Sequence, residues 1–220
     1  MPFTNTISSF LQFLQERYPD ILVATREHLT ISVISILLST LIAVPVGMYL
    51  ANNKIKWLHS AVFSIANLFQ TIPSLALLAI LLPLFGIGMK PAIFALFLYA
   101  ILPILRNTYA GFQSVDQSIV EAAKGMGYSA SQRLFSIQLP LAFPYIMSGL
   151  RMTIVYIISW TTLAALVGAG GLGQLIVSGI GVNKQELVLA GALAAILLTV
   201  LTDQILGFIE KRVFRKVKAN

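Results

Sequence analysis

Side chains that could hold a metal ion or act as catalytic groups are scarce in this chain. Its 220 residues include two histidines, His28 and His59, and no cysteine. Neither histidine has a second ligand at the spacing that a metal site needs, and no paired carboxylates or histidine cluster falls within the apolar segments. The sequence therefore predicts no metal site, no disulfide and no enzymatic activity.

The most concentrated group of small and polar residues is the stretch EAAKGMG at 121–127. Upstream, Ser114-x-x-Gln117 and Ser118-x-x-Glu121 both fit the capping box that opens a helix. One of the two glycines in the stretch could end that helix in left-handed backbone, which glycine adopts easily. We therefore predict a short helix from about residue 116 that stops at a glycine.

A second short helix is predicted immediately after this stretch. Ser129-x-x-Gln132 fits another capping box, and the residue before a proline disfavours helical backbone, so this helix should end before Pro140. The small residues of the resulting helix–glycine–helix unit would allow close approach by another backbone. An interfacial linker with alanines chosen for helix propensity would also fit the same residues.

Arg151 and Asp203 are isolated charges within long apolar stretches. Charged residues at such positions are functional candidates by default, yet an unpaired buried charge is costly. We expect both near one end of their spans, and we therefore favour a structural ion pair, or side chains that reach the interface, over contact with a substrate.

The composition identifies the environment in which these residues must be positioned. Hydrophobic residues make up 57% of the chain and charged residues 10%, whereas soluble domains carry about 25% charged residues. Residues 29–51 contain no charge and can cross a hydrocarbon core about 30 Å thick. The net charge of +7 reflects basic residues flanking apolar runs rather than a nucleic-acid surface. The chain is predicted to be an integral membrane protein.

We predict an all-α fold with five transmembrane helices. The spans are expected at 28–51, 60–84, 88–108, 145–168 and 186–209. Residues 1–27 are predicted to form a segment outside the membrane. Within it, residues 3–17 are predicted to form an amphipathic helix on the membrane surface, because apolar residues recur at helical spacing: Phe3, Ile7, Phe10, Leu11 and Leu14. Residues 28–210 form the transmembrane domain, with a loop at about 112–140, and 211–220 form a basic tail.

The orientation follows from the distribution of basic residues. With the 112–140 loop and the C-terminus inside, ten basic residues lie on the cytoplasmic side: Lys54, Lys56, Arg106, Lys124, Arg133, Lys211, Arg212, Arg215, Lys216 and Lys218. Four lie outside: Arg17, Arg26, Lys90 and Lys184. Cytoplasmic loops carry the excess of Lys and Arg, so we predict the N-terminus outside and the C-terminus in the cytoplasm.

The loop resembles a known family signature at each defined position. The pattern is Glu121-Ala122-Ala123, three residues, Gly127, nine residues, Ile137, one residue, then Leu139-Pro140. It is similar to the signature of permease subunits of ATP-binding-cassette (ABC) importers, which share the type I permease fold. In that family this loop is the coupling helix that docks in a groove on the ATPase subunit. The resemblance implies that role for these seven residues.

Further stretches resemble the osmoprotectant branch of these importers, which takes up glycine betaine, carnitine or choline. They are QTIPSL from Gln70, LPILRNTY from Leu102 and GAGGLG from Gly168. Permeases of methionine importers share the coupling loop and a similar GAGGLG, so an amino-acid importer of that type is the alternative within the family. Outside the family, a channel or a secondary transporter remains an alternative, although neither needs a coupling loop.

The resemblance also implies partners. These are two ABC ATPase subunits that bind ATP and Mg²⁺, a second permease subunit, identical or homologous, and a separate extracellular substrate-binding protein. The chain itself would bind no cofactor, since it has no P-loop, and it would lie in the bacterial cytoplasmic membrane. In this reading, the predicted candidates for lining the pathway are Gln70, Thr71, Tyr99, Tyr156 and Trp160. The faces of the three aromatic side chains would attract a quaternary ammonium cation.

The run from Gly168 to Gly173 is unsuited to a plain helix. It is not a nucleotide loop, since no strand precedes it and no Lys-Ser/Thr follows. We predict that Gly168, Gly170, Gly171 and Gly173 form a helix bend near the outer face that permits close helix contact or movement of a gate.

Overall fold

The computed structural model describes residues 2–219, with side-chain surroundings given for residues 9–212. Each secondary-structure element in the described part of the chain is helical, as predicted. The α-helices are α1 (Pro2–Asn52), α2 (Lys56–Thr71), α3 (Ser74–Phe85), α4 (Met89–Gln113), α5 (Gln117–Gly125), α6 (Ala130–Arg133), α7 (Leu139–Thr161), α8 (Leu172–Gly181) and α9 (Gln185–Ala219). A π turn at Leu134–Gln138 joins α6 to α7, and a 3₁₀ turn at Thr162–Val167 follows α7.

Within the part of the chain that the structure describes, four helical stretches are long and apolar enough to cross a membrane. They are Ser9–Asn52, Met89–Gln113, Ala130–Val167 and Gln185–Arg212. The pair α2 and α3 passes the same criteria only when taken together, which brings the total to five. The five predicted spans therefore correspond to these four stretches and the bent pair.

The span predicted at 60–84 is not one straight helix. The chain breaks between Thr71 and Ser74, and α2 and α3 meet at 98°. Pro73 explains the break, because the residue before a proline is pushed into extended backbone. Ile72 has φ −73° and ψ 127°, which lie in that region.

Helical backbone does not stop before Pro140, which corrects the prediction made from the residue that precedes this proline. Helical backbone runs without a break from Ala130 to Val167. The π turn at 134–138 lies just before Pro140, and within it the N–H of Leu139 bonds five residues back to Leu134. This wider turn accommodates the ring and missing donor of the proline.

The predicted surface helix at 3–17 is not separated from the first span. The backbone is helical from Pro2 to Asn52 without a break. Phe3 and Ile7 lie outside the residues whose side chains are described, while Phe10 and Leu14 are half-buried and Leu11 is exposed. A helix not predicted from the sequence, α8, follows the glycine bend.

The chain divides into two compact units, to which α1, α4, α7 and α9 each contribute. The first comprises Met1–Ser35, Pro73–Leu96 and Val155–Thr202. In its interior, small polar side chains of α1 bond to facing helices. His28 Nε2 donates to the carbonyl of Ile158 (2.8 Å), and the hydroxyls of Ser32 and Thr161 bond at 2.9 Å. Such bonds satisfy polar groups that cannot reach water.

The second unit comprises Ile36–Ile72, Phe97–Ile154 and Asp203–Asn220. Its apolar core contains Phe112, Val115, Ala142 and Ile146. Ser39 Oγ donates to the carbonyl of Phe97 at 2.9 Å. The loop at about 112–140 and Arg151 both belong to this unit.

Candidate functional site

The loop helix α5 begins at an aspartate rather than at either predicted serine. Asp116 Oδ1 accepts the N–H of Ser118 at 2.8 Å, so Asp116 is the N-cap. A hydrogen bond from the Ser118 backbone N–H and a weaker effect of the Ser118 side chain hold the pKa of the Asp116 carboxyl below its usual value. The capping boxes predicted from Ser114 and Ser118 are therefore not the start of α5.

Gly127 ends α5 in left-handed backbone, with φ +84°. The N–H of Tyr128 bonds to the carbonyl of Ala123 at 3.1 Å, and the N–H of Gly127 bonds to that of Lys124 at 3.0 Å. These two bonds form a Schellman motif, in which a glycine satisfies the last carbonyls of a helix. A side chain at position 127 would cost about 1 kcal/mol in backbone strain.

Ser129 then opens α6 with the predicted capping box. Its backbone N–H donates to Gln132 Oε1 at 2.8 Å, and the N–H of Gln132 donates to Ser129 Oγ at 3.3 Å. Arg133 Nη1 donates to the carbonyl of Tyr128 at 2.6 Å and ties α6 back to the end of α5. Residues 117–135 thus form a defined unit, which we call the loop knob.

The loop knob exposes apolar side chains. The exposed fractions are 69% for Met126, 57% for Phe135, 45% for Ile119 and 38% for Tyr128. A Cβ added at Gly125 or Gly127 would meet no atom within 4 Å. An exposed apolar patch beside two small residues is typical of a surface that another protein covers.

The signature residues divide between this outer surface and the interior. Glu121 and Ala122 are exposed, whereas Ala123 is only 1% exposed and is covered by the chain itself. In this structure Ala123 therefore packs inside the chain, and of the two alanines only Ala122 is exposed. Ile137, Leu139 and Pro140 are half-buried. Leu139 packs against the core cluster of the second unit, so this signature residue attaches the loop knob to that core.

Arg151 of α7 contacts two carboxylates of α9. Its Nε and Nη2 bond to Oδ1 and Oδ2 of Asp203 at 2.7 and 3.0 Å, and Nη1 bonds to Glu210 Oε2 at 3.0 Å. The two predicted charges lie together, and the sequence reasoning missed Glu210. A Cβ added at Gly207 would lie 2.9 Å from the guanidinium carbon. Glycine at this position therefore makes room for the arginine.

Two of the proposed pathway residues instead brace the break between α2 and α3. Gln70 Nε2 donates to the carbonyl of Tyr99, and the Tyr99 hydroxyl donates to the carbonyl of Ile72, both at 2.6 Å. Tyr99 is only 2% exposed. In this conformation its ring is therefore covered by the chain itself, and its predicted place in the pathway wall stays a prediction. Thr71 is exposed, and its hydroxyl bonds to the carbonyl of Leu68 within α2 at 2.7 Å.

The other two pathway candidates lie one turn apart on α7 in the first unit. The rings of Tyr156 and Trp160 have centroids 5.0 Å apart and are tilted by 39°. Both residues are half-buried. Their faces could contact a cation, but the geometry equally suits a packed aromatic pair.

The predicted glycine bend is present. Gly168, Gly170 and Gly171 have φ of 70°, 79° and 80°, and Gly173 lies within α8 against the carbonyl of Thr162. The N–H of Gly171 donates to Glu27 Oε2 at 2.8 Å. No sequence signal pointed to Glu27, because the contact joins residues 144 positions apart.

Among the described residues, no group of three or more His, Asp or Glu side chains could hold a metal ion. The loop knob exposes an apolar surface, a continuous helix leads away from it, and an ion cluster joins that helix to α9.

Comparison with known proteins identifies the family. Residues 43–215 match the family described as the binding-protein-dependent transport system inner membrane component. The match covers most of the chain, and the chain belongs to this family. Its members are membrane components of ABC transport systems.

Curated relatives span nearly the whole chain. The choline transport system permease protein OpuBB of Bacillus subtilis is 42% identical over 202 residues, which is 92% of each chain. The glycine betaine/carnitine/choline transport system permease protein OpuCB of the same organism is 40% identical, covering 96% of each chain. The osmoprotectant import permease protein OsmW of Salmonella typhimurium is 39% identical, covering 83% of this chain and 86% of the relative.

Solved structures show a similar fold. An inward-facing form of the MetNI methionine ABC transporter has a TM-score of 0.74 and 25% identity, covering 90% of this chain and 95% of that one. An amino acid ABC transporter solved with histidines has a TM-score of 0.77 at 18% identity, covering 92% and 98%. The fold is therefore that of type I ABC importer permeases.

Proposed function

We propose that this chain is the transmembrane subunit of an ATP-driven importer for osmoprotectant quaternary ammonium compounds such as glycine betaine, carnitine and choline. One observation carries the proposal. Relatives named for transport of these compounds are 42% and 40% identical across more than nine-tenths of the chain. The methionine transporter that shares the fold is 25% identical, so an importer of that type is the weaker alternative.

The loop knob is the proposed docking surface for the ATPase. Its exposed Met126 and Phe135 are suited to an apolar groove, and the open space at Gly127 allows a partner's backbone to approach. Because helical backbone continues from Ala130 to Val167, a displacement of the loop knob would be transmitted directly along the span. ATP and Mg²⁺ would be bound by two copies of the ATPase, while this chain does no chemistry.

The remaining partners follow from the proposed function. The pathway would form between two permease subunits, this chain and an identical or homologous copy, and a separate extracellular protein would deliver the substrate. We place the chain in the bacterial cytoplasmic membrane with the N-terminus outside. The ten-to-four distribution of basic residues supports that orientation.

Gln70, Thr71, Tyr99, Tyr156 and Trp160 remain proposed contacts for a passing cation. Of these, Tyr156 and Trp160 present adjoining ring faces, which attract quaternary ammonium groups. Selection of the substrate would rest mainly with the extracellular binding protein.

The decisive experiment is reconstitution of the complete complex in liposomes. Uptake of labelled choline, glycine betaine and carnitine is measured with ATP inside, and methionine serves as the matched negative substrate. We expect ATP-dependent uptake of at least one of the three compounds and none of methionine. Methionine uptake alone would favour the amino-acid importer, and uptake without ATP or an ATPase subunit would favour a channel or secondary transporter.

A further inference from the structure

Glu27 of α1 lies with its carboxylate against the glycine bend. Its Oε2 accepts the N–H of Gly171 at 2.8 Å. Gly171 is the N-cap of α8, so the negative charge also lies at the positive end of that helix dipole. A charged acceptor on a backbone N–H makes a stronger hydrogen bond than a neutral one.

The bend has the backbone shape that this contact requires. Gly170 has φ +79°, and a Cβ added there would overlap the Glu27 carboxylate. A Cβ at Gly171 would lie 3.4 Å from His28 Nδ1. His28 is fully buried and donates through Nε2 to the carbonyl of Ile158 in α7. Two consecutive residues of α1 thus contact both the bend and the helix that leads into it.

The other side of the bend is held by the turn before α4. The N–H of Gly88 bonds to the carbonyl of Val167 at 2.9 Å, and a Cβ added at Gly168 would lie 2.7 Å from Cγ2 of Ile87. All these groups belong to the first compact unit. The bend therefore contacts both α1 and the turn before α4, and the hydrogen bond that it donates to α1 is accepted by the carboxylate of Glu27.

We propose that Glu27 is a positioning residue of the transport cycle, which ties the Gly168–Gly173 bend to α1 so that α1, the bend and α8 move as one body. This inference rests on the proposed function. Without the carboxylate, the bend would be held to α1 only by the packing of His28, and a larger share of ATP would be hydrolysed without a matching movement of this part of the pathway. In this proposal Glu27 acts only through its contact with the bend.

The test compares Glu27→Ala, Glu27→Gln and the control Glu16→Ala in the reconstituted complex. Glu16 is an exposed acid on the same helix, bonded to Gln12 one turn away. For Glu27→Ala we expect roughly a tenfold drop in substrate transported per ATP hydrolysed, the scale of losing one hydrogen bond to a charged group. The ATPase rate and the KM for the loaded binding protein should change little.

Glu27→Gln should fall between the wild type and Glu27→Ala, because its amide oxygen can still accept the N–H of Gly171 but carries no charge. Glu16→Ala should match the wild type. Unchanged coupling in Glu27→Ala would overturn the proposal. So would a Glu27→Ala protein that fails to assemble while Glu27→Gln transports normally, since the role would then be assembly alone.

A double-mutant cycle tests the contact without any substrate. Gly170→Ala should lower the thermal midpoint of the purified complex, because the new Cβ collides with the carboxylate and the backbone is strained. In the Glu27→Ala background the same change should cost less, since only the strain remains. Additive effects would disprove the contact. A complex that imports none of the osmoprotectants but shows non-additivity would refute the proposed substrates and leave the contact standing.

Discussion

The guanidinium of Arg151 and the carboxylate of Asp203 form two parallel hydrogen bonds, at 2.7 and 3.0 Å, that join α7 to α9. Glu210 bonds to the remaining Nη1 at 3.0 Å, so the single guanidinium forms ion pairs with two carboxylates. The arrangement is asymmetric. Removing either acid leaves Arg151 paired, whereas removing Arg151 leaves two neighbouring acids without their cation.

We therefore expect Arg151→Ala to reduce assembly and thermal midpoint more than Asp203→Ala or Glu210→Ala. The double variant Asp203→Ala/Glu210→Ala should lose about as much assembly and thermal midpoint as Arg151→Ala. Yield of folded complex and its melting temperature are the measurements. Exchanging the charges of Arg151 and Asp203 should partly restore assembly. Equal losses from all three single variants would contradict the asymmetry, and an exchange no better than the singles would contradict the pairing.

Gly127→Leu should leave the spans inserted but weaken ATPase association and abolish uptake. The substitution adds backbone strain of about 1 kcal/mol and places bulk on the proposed docking surface. Gly127→Ala isolates the strain with little bulk. Co-purification of the ATPase and substrate uptake are measured in membranes.

Gly125→Leu is the matched control for this prediction. Position 125 is also open to at least 4 Å but has ordinary helical backbone, so it tests bulk without strain. Glu121→Ala should reduce ATPase association and uptake less than either leucine variant, because it removes a polar contact but adds no bulk to the surface. Normal uptake and ATPase association in Gly127→Leu would favour the plain linker over the docking surface.

The cap at Asp116 should be charge-dependent. Because its pKa is lowered in the folded loop, its stabilisation is present at neutral pH, above the unfolded pKa, and is lost as pH falls through the folded value. Asp116→Asn should remove this acid sensitivity and keep the cap, whereas Asp116→Ala should lose the cap at all pH values. Amide hydrogen exchange of residues 117–125 measures both effects. Identical protection in the Asn and Ala variants would argue against the cap.

Tyr99→Phe should lower stability by about 1 kcal/mol, since the carbonyl of Ile72 loses its donor. If Tyr99 braces the break before Pro73, transport should slow without a change in KM. A selective rise in KM for the cation would instead support the place of Tyr99 in the pathway wall. Uptake kinetics and thermal unfolding of the same preparation distinguish the two.

The orientation is tested by cysteine labelling, because the chain contains no cysteine of its own. In sealed cells, an impermeant maleimide should label Arg17→Cys and leave Lys216→Cys unlabelled until the cells are opened. Labelling of Lys216→Cys from outside would reverse the orientation and place the loop knob on the wrong side of the membrane for an ATPase.

The sequence predicted those features that depend on composition and local spacing. Apolar runs located the long helices. The capping box predicted at Ser129 is present, and Gly127 lies in the left-handed region, as its position after α5 suggested. Prediction was less successful where two local signals competed. Asp116 caps α5 although two serine boxes lay beside it, and Pro73 breaks a span whereas Pro140 does not.

Contacts between distant residues could not be read from spacing. Glu210 joins the Arg151 cluster across 59 positions, and Glu27 reaches Gly171 across 144. Each depends on how helices pack, and helix packing follows from side-chain fit along whole faces rather than from any local motif. Ala123 illustrates the same limit, since its small size suited either an exposed docking surface or the buried position it occupies.

The π turn at 134–138 joins the loop knob to the span that follows it. A π turn holds one residue more than the α-helical path around the same axis, and each residue of an α-helix accounts for about 100° of rotation. Deleting a single residue there should therefore restore regular helix geometry and leave Met126 and Phe135 facing nearly the same way, whereas a deletion in the α-helical part after Pro140 would rotate them by about 100° around the axis. The direction in which the loop knob faces thus depends on where along the helix a residue is added or lost, and not only on residue identity.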